Sequence, residues 1–238
     1  MQHYFGTIAG ESAIIDGKQI HHLIDVKRTK IGEKIEVSDG AEAYLCVVES
    51  LEPLSIKVLS KIEGKREADI DLTIAFALLK GDHNDLIVLK GTELGVGKFI
   101  PFISERCVVT PKENPDPKLL RLRKKTEEGA MQCRREVVPE VTDYARFEDV
   151  LNLNYDVKLF AYEDMAGLSD TLLSEAKKIQ KRQSVIVIIG PEGGFTHEEA
   201  RLALDHDFTL VSLGRRILRA ETAAIYSASL ITSFSDED

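Results

Sequence analysis

The sequence predicts an α/β fold, a mostly parallel sheet with ligand-holding loops at its carboxyl edge, preceded by a small β-barrel. Three observations carry this. Val185-Ile186-Val187-Ile188-Ile189 is apolar at every position, which suits a strand covered on both faces. From Leu72 onward strand-like and helix-like segments alternate, the pattern of βα units. Before residue 70 there are only short strands and tight turns, too few and too short for a sandwich.

In chain order, Lys34 to Val37 and Ala43 to Val48 flank Ser38-Asp39-Gly40, and Asp-Gly supplies a hairpin turn. Ser55 to Ile62 follows Pro53 as another strand. The polar segment Gly64 to Asp69 separates these from an apolar strand at Leu72 to Leu79, so the expected domains are 1–70 and 71–238. Further strands are expected at Phe99 to Ile103, Val157 to Ala161, Val185 to Ile189 and Phe208 to Leu213. Helices are expected at about Asn84 to Leu94, Lys118 to Arg135, Phe147 to Leu151, Leu172 to Lys181, His197 to Asp205 and Thr222 to Phe234. Pro111 to Pro117 reads as an exposed loop, because its three prolines remove donors and fix the backbone.

Composition narrows the function classes. A chain of 238 residues, 43% hydrophobic and 30% charged, is ample for one large or two ordinary globular domains. No apolar run approaches a membrane span and no basic-then-apolar leader starts at Met1, so neither membrane insertion nor export is expected. Cys46, Cys107 and Cys133 are widely spaced without a CxxC pair, which indicates neither a disulfide framework nor a zinc site and points to a reducing cytosol. The net charge of -9 argues against a protein that coats nucleic acid. Locally, Lys118 to Arg135 holds seven basic and two acidic residues, which suits phosphate contacts or, equally, a solvated helix face. Lys27, Arg28 and Lys30 suit phosphate positioning, whereas His21 and His22 read as histidines hydrogen-bonded within their domain.

The chemistry is expected where the apolar strand breaks at Gly190-Pro191-Glu192-Gly193-Gly194, since glycine permits close backbone approach. Thr196 then caps a helix, with Glu199 completing a capping box. A second unit repeats the plan, with Phe208 to Leu213 as strand, Gly214 as breaker and Arg215 to Glu221 leading into a helix. Two such loops meet at the carboxyl edge of one sheet, where open α/β sheets bind ligands. Neither GxGxxG nor GxxxxGK[ST] is present, which argues against a dinucleotide-dependent oxidoreductase or a triphosphate site. On the residues alone, a tight turn and an ordinary Arg219–Glu221 ion pair remain an alternative.

GPEGGFTHEEA followed by LGRRILRAETAAIYS resembles the paired signature of the RsmE family, the 16S ribosomal RNA uracil N3-methyltransferases of the SPOUT class. Lys80-Gly81 with Asp85, Lys90 and Glu93-Leu94-Gly95-Val96 is similar to that family's K-G-x-x-x-D-x-x-x-x-K-x-x-E-L-G-V segment. Pro101 to Cys107 is similar to its P-x-x-S-E-R-C segment, and Gln132 to Arg135 with Pro139 to its Q-S-x-R…P pattern. The departures are Cys133 for serine, Lys27 for leucine, Glu33 for aspartate, and His3 where arginine is common, which puts an RNA role at position 3 in doubt.

The resemblance covers nearly the whole chain and implies a PUA-like RNA-binding barrel, then a SPOUT domain whose trefoil knot holds S-adenosylmethionine. It implies a homodimer, no metal, and 16S rRNA in the small ribosomal subunit as partner. By similarity, Gly190, Glu192, Gly193 and Gly194 line the donor from one side, Leu213, Gly214, Ile217, Leu218 and Ala220 from another, and Tyr162 and Glu163 from a third. Arg219 is the expected stabiliser of a developing oxyanion and Glu221 an orienter or base. Arg28, Lys30, Arg121, Arg123, Lys124, Lys125 and Arg134 are the expected RNA contacts. A ribose 2'-O-methyltransferase of the same class and a non-catalytic RNA-binding module are the other readings.

Overall fold

A computed structural model describes residues 1–64, 66–109, 111, 116–163 and 171–235. The chain divides into two units, 1–67 with 130–138, and 68–129 with 139–238.

The first unit is a closed barrel in the order β1-β2-β5-β4-β3, from β1 (Gln2–Ala9), β2 (Ser12–Ile15), β3 (Lys34–Ser38), β4 (Ala43–Leu51) and β5 (Leu54–Lys61). The Asp-Gly hairpin forms as expected. Gly40 takes φ 94°, while Asp39 Oδ1 accepts the Ala41 and Glu42 N–H groups and brings Ser38 opposite Ala43. Parallel pairing of β1 with β3 closes the barrel around Tyr4, Ile35, Val37, Cys46 and Val48, all fully buried. Burial pushes the Cys46 thiol up to about 11, so it is inert packing. Between β2 and β3, α1 (Gly17–His21) is capped by Asp16 and runs into one turn of π-helix.

Glu36 on β3 is buried at 2% exposure and gathers the polar groups of this unit. His3 Nδ1 lies 3.3 Å from it, and Arg66 and Arg134 approach to 2.7 and 3.6 Å. Burial works against its charge, yet the Arg66 hydrogen bond and the surrounding positive charge hold its carboxyl below the usual range. The His3 ring is fully enclosed and burial lowers its pKa, so its role is internal. Segment 130–138 belongs here through polar bonds. Ser38 Oγ donates to the Glu136 carbonyl at 2.7 Å, and Glu67 accepts from Arg135 Nε at 2.9 Å and the Val137 N–H at 3.1 Å.

In the second unit the described residues form a seven-stranded sheet, ordered β12-β10-β11-β6-β7-β8, with β9 paired to β7 and every pair parallel. Its strands are β6 (Asp71–Ala77), β7 (Lys98–Ile103), β8 (Glu140–Val141), β9 (Ala145–Arg146), β10 (Val157–Ala161), β11 (Ser184–Ile189) and β12 (Thr209–Val211). The run of apolar residues in β11 is explained by two cores. Val185, Val187 and Ile189 face one with Leu72, Ile74 and Phe76, whereas Ile186 and Ile188 face the other with Ala75 and Ala77. The first core is covered by α2 (His83–Glu93), α3 (Pro117–Cys133), α5 (Leu172–Ala176) and α7 (Ala220–Ser235); the second by α4 (Phe147–Leu151) and α6 (His197–Asp205). Each fully buried aliphatic side chain contributes roughly 1.5–3 kcal/mol, so the sheet is a rigid base for the loops at its edge.

The boundaries differ from expectation where local chemistry intervenes. Pro117 is the first residue of α3, where its missing N–H costs nothing, so the expected loop stops short of it; residues 112–115 lie outside the described set. α5 ends at Ala176 instead of Lys181, because the polar stretch beyond it supplies little apolar face and Arg182 turns to φ 70°. β12 keeps only three residues of the longer strand expected. The two-residue strands β8 and β9 leave no periodic signal in the sequence. Among the described residues no helix is long and apolar enough to cross a membrane.

Candidate active site

The carboxyl ends of β10, β11 and β12 open onto one cleft in the second unit, with about 690 Å³ of empty space open to solvent. Its walls come from three loops, around Tyr162 and Glu163, Gly190 to Phe195, and Ser212 to Leu218, closed below by Ala220 and Ala223 of α7. The glycines have separate reasons. A Cβ on Gly190 would stand 2.9 Å from the Phe195 ring, so the aromatic side chain packs directly on backbone. Gly194 has φ 66°, and a Cβ there would run into the Glu163 carboxyl group. The expected capping box is present, with Thr196 Oγ1 accepting the Glu199 N–H at 3.1 Å and Glu199 accepting the Thr196 N–H at 2.8 Å. Tyr162 is held by a 2.8 Å hydrogen bond between its hydroxyl and His197 Nδ1.

Nine of the expected donor residues therefore line the cleft: Tyr162, Glu163, Gly190, Gly194, Leu213, Gly214, Ile217, Leu218 and Ala220. Two face elsewhere. Glu192 accepts the Lys80 N–H at 2.9 Å, and Gly193 lies against Arg106, its carbonyl accepting from Nη1 at 2.9 Å. Among the described residues, apolar walls from Ile189, Leu213 and Leu218, backbone exposed at glycines, and a carboxylate at Glu163 together with Arg215 and Arg216 fit an adenosyl group that carries both a cationic sulfur and a carboxylate. Among the described residues no group of three or more His, Cys, Asp or Glu is placed to hold a metal ion.

Comparison with known proteins decides what this cleft belongs to. An RNA methyltransferase domain family matches residues 66–232, and an RNA methyltransferase PUA domain family matches 15–59. Ribosomal RNA small subunit methyltransferase E of Bacillus subtilis is 35% identical over 92% of this chain and 88% of its own length. The chain belongs to that methyltransferase E family. A structure of the Neisseria gonorrhoeae member bound to S-adenosyl methionine superimposes with TM-score 0.85 and 26% identity, covering 98% of this chain and 97% of that one. A Legionella pneumophila protein solved with the cofactor SAM gives TM-score 0.85 and 27% identity, over 98% and 96% of the two chains.

In this chain the two expected catalytic residues part company. Arg219 is exposed beside the cleft, at the foot of α7. Glu221 is buried at 8% exposure and pairs with His83 Nδ1 at 3.3 Å rather than with Arg219. Sequence reasoning missed His83, which falls at a variable position of the K-G-x-x-x-D segment and meets Glu221 only through the packing of α2 on α7.

The expected RNA residues also divide. Arg28, at φ 51°, and Lys30 are exposed and make no side-chain ion pair among the described residues. Arg121 is held by Asp82 and Asp85, each at 3.0 Å, and Arg123 by Asp143 at 2.8 Å and the Val141 carbonyl at 3.1 Å. Lys125 and Lys124 share Glu128 at 2.6 and 3.8 Å, and Arg134 turns toward Glu36.

Proposed function

We propose that this protein transfers a methyl group from S-adenosylmethionine to N3 of one uridine in the 16S rRNA of the small ribosomal subunit, acting as a cytoplasmic homodimer with a knotted donor site. The observation that carries this is the three-loop cleft, whose lining includes nine of the eleven expected donor residues in a chain of the methyltransferase E family. Bound there, the donor supplies a methyl carbon on a sulfonium sulfur. Transfer to N3 would release the demethylated donor and pass the N3 proton to solvent water, since the neutral imide is a weak nucleophile.

The chain's residues have three tasks in this reading. Tyr162, Gly190, Gly194 and Leu218 fix the donor so that displacement is in line, which supplies most of the rate through positioning. Arg219, the exposed cation beside the cleft, stabilises the oxyanion that develops on the uracil ring. Glu221, buried against His83, orients the start of α7 and so the backbone that carries Arg219. The target base presents its N3 edge unpaired, as chemistry on a base requires. Arg28 and Lys30 contact phosphates as positioning groups.

The test is to incubate the protein with S-adenosylmethionine and undermethylated small subunits, digest the RNA and analyse nucleosides by mass spectrometry. N3-methyluridine is the expected product. A 2'-O-methylated nucleoside would overturn the chemistry while leaving the donor site.

A further inference from the structure

The segment Ser104-Glu105-Arg106-Cys107, beyond β7, lines no part of the donor cleft, yet it is bonded to the loop that does. It is a tight turn. The Cys107 N–H donates to the Ser104 carbonyl at 3.1 Å and the Ser104 N–H to Cys107 Sγ at 3.4 Å, which sends Glu105 and Arg106 toward β11. Arg106 Nη1 donates to the carbonyls of Gly193 at 2.9 Å and Phe195 at 3.3 Å. The Glu105 N–H donates to Glu199 Oε1 at 2.9 Å, while the other Glu199 oxygen holds the Thr196 N–H at 2.8 Å. Glu199 is buried, and this one carboxylate both caps α6 and ties it to the neighbouring turn.

We infer that Arg106 is a positioning residue for the donor site, holding the Gly190–Phe195 loop in its ligand-ready shape by occupying two of its carbonyls from outside the cleft. The inference rests on the reading that this cleft holds S-adenosylmethionine. A loop with three glycines in five residues loses much backbone freedom when it is ordered, so a fixed shape needs an external brace. A single Arg106 nitrogen, Nη1, bridges the two carbonyls, and the planar guanidinium holds that nitrogen in a fixed direction. Gly193 acquires a separate reason to be glycine: a Cβ there would stand 3.3 Å from Arg106 Cβ and 3.6 Å from Cδ, so its bare Cα seats the arginine and not the donor. On the far side the Lys80 N–H bonds to Glu192, so the loop is braced from the turns after both β6 and β7.

The test uses the full chain and S-adenosylmethionine itself. Arg106→Ala is expected to weaken donor binding roughly tenfold or more, as loss of charged hydrogen bonds does. The KM for the donor should rise while kcat at saturating donor stays within about twofold, and the melting temperature should hold. Arg106→Lys should recover part of the affinity, since an ammonium keeps the charge and the donors but sits on a flexible stem without the fixed planar geometry. Gly193→Ala should weaken donor binding in the same way although it lines no part of the cleft. Unchanged donor affinity in Arg106→Ala, or parallel loss of affinity, kcat and melting temperature without rescue by lysine, overturns the inference. Wild-type protein that fails to bind the donor overturns the underlying reading and the inference with it.

Discussion

The loop after β11 and helix α3 use their polar groups in opposite ways. Around the loop, Arg106, Glu192 and Glu199 are turned to backbone partners on the outside, which leaves the inner face of Gly190, Pro191 and Gly194 to the cleft. On α3 Arg121, Arg123, Lys124 and Lys125 are answered by carboxylates, Asp82, Asp85, Asp143 and Glu128, so most of the positive charge of that helix is matched. Density of charge in a sequence is not yet a phosphate surface. What matters is whether the fold supplies each cation with an acid, and for the exposed Arg28 and Lys30 it does not among the described residues.

The largest effect that would break this contrast lies at the cleft. Arg219→Ala should lower the methylation rate by about a hundredfold or more, the scale of one lost oxyanion stabiliser, with donor affinity intact in a binding titration. A full rate would remove Arg219 from the chemistry. Gly194→Val should weaken donor binding by about tenfold or more, because the left-handed φ and the Glu163 carboxyl both oppose a branched side chain. Calorimetry on the purified variant reads it directly.

Glu36→Gln should lower the stability of the barrel unit by about 2 kcal/mol, since a buried carboxylate hub is removed. The sign of its pH dependence is set by the depressed folded value. Its stabilisation is complete above the ordinary value of 4.5 and disappears as pH falls through the lower folded one. Buried His3 acts in the same direction, since burial lowers its pKa and the unfolded chain therefore binds its proton more readily. Thermal melts across pH 3 to 7 should therefore show a shallower acid limb in Glu36→Gln.

The smallest effect concerns RNA. Removing Arg28 and Lys30 together should reduce the slope of log affinity against log salt by about 1 to 2, whereas removing Arg123 and Lys124 should change it by less than half as much. Equal slopes in the two double variants would erase the contrast between exposed and ion-paired cations.

Residues close in sequence announced their own geometry. The Asp-Gly hairpin, the Thr196–Glu199 box and the apolar strand β11 are each decided within a few residues, and all three formed as read. The Glu221–His83 pair and the acids that meet α3 depend on which helices pack together, and no local pattern encodes that. The barrel's β1–β2 hairpin was less legible, because Ala9-Gly10-Glu11-Ser12 lacks the Asn-Gly or Asp-Gly signal although Gly10 takes φ 62°.

Segment 130–138 has a consequence for how the chain is made. The barrel strands are complete by Lys61, but the groups that satisfy Ser38 and Glu67 are synthesised only after β6, α2, β7 and most of α3. A nascent chain thus carries barrel strands in which Glu36 already has Arg66 and His3 but Glu67 still lacks Arg135, and a gene fragment ending near residue 70 encodes a protein permanently held at that unfinished stage.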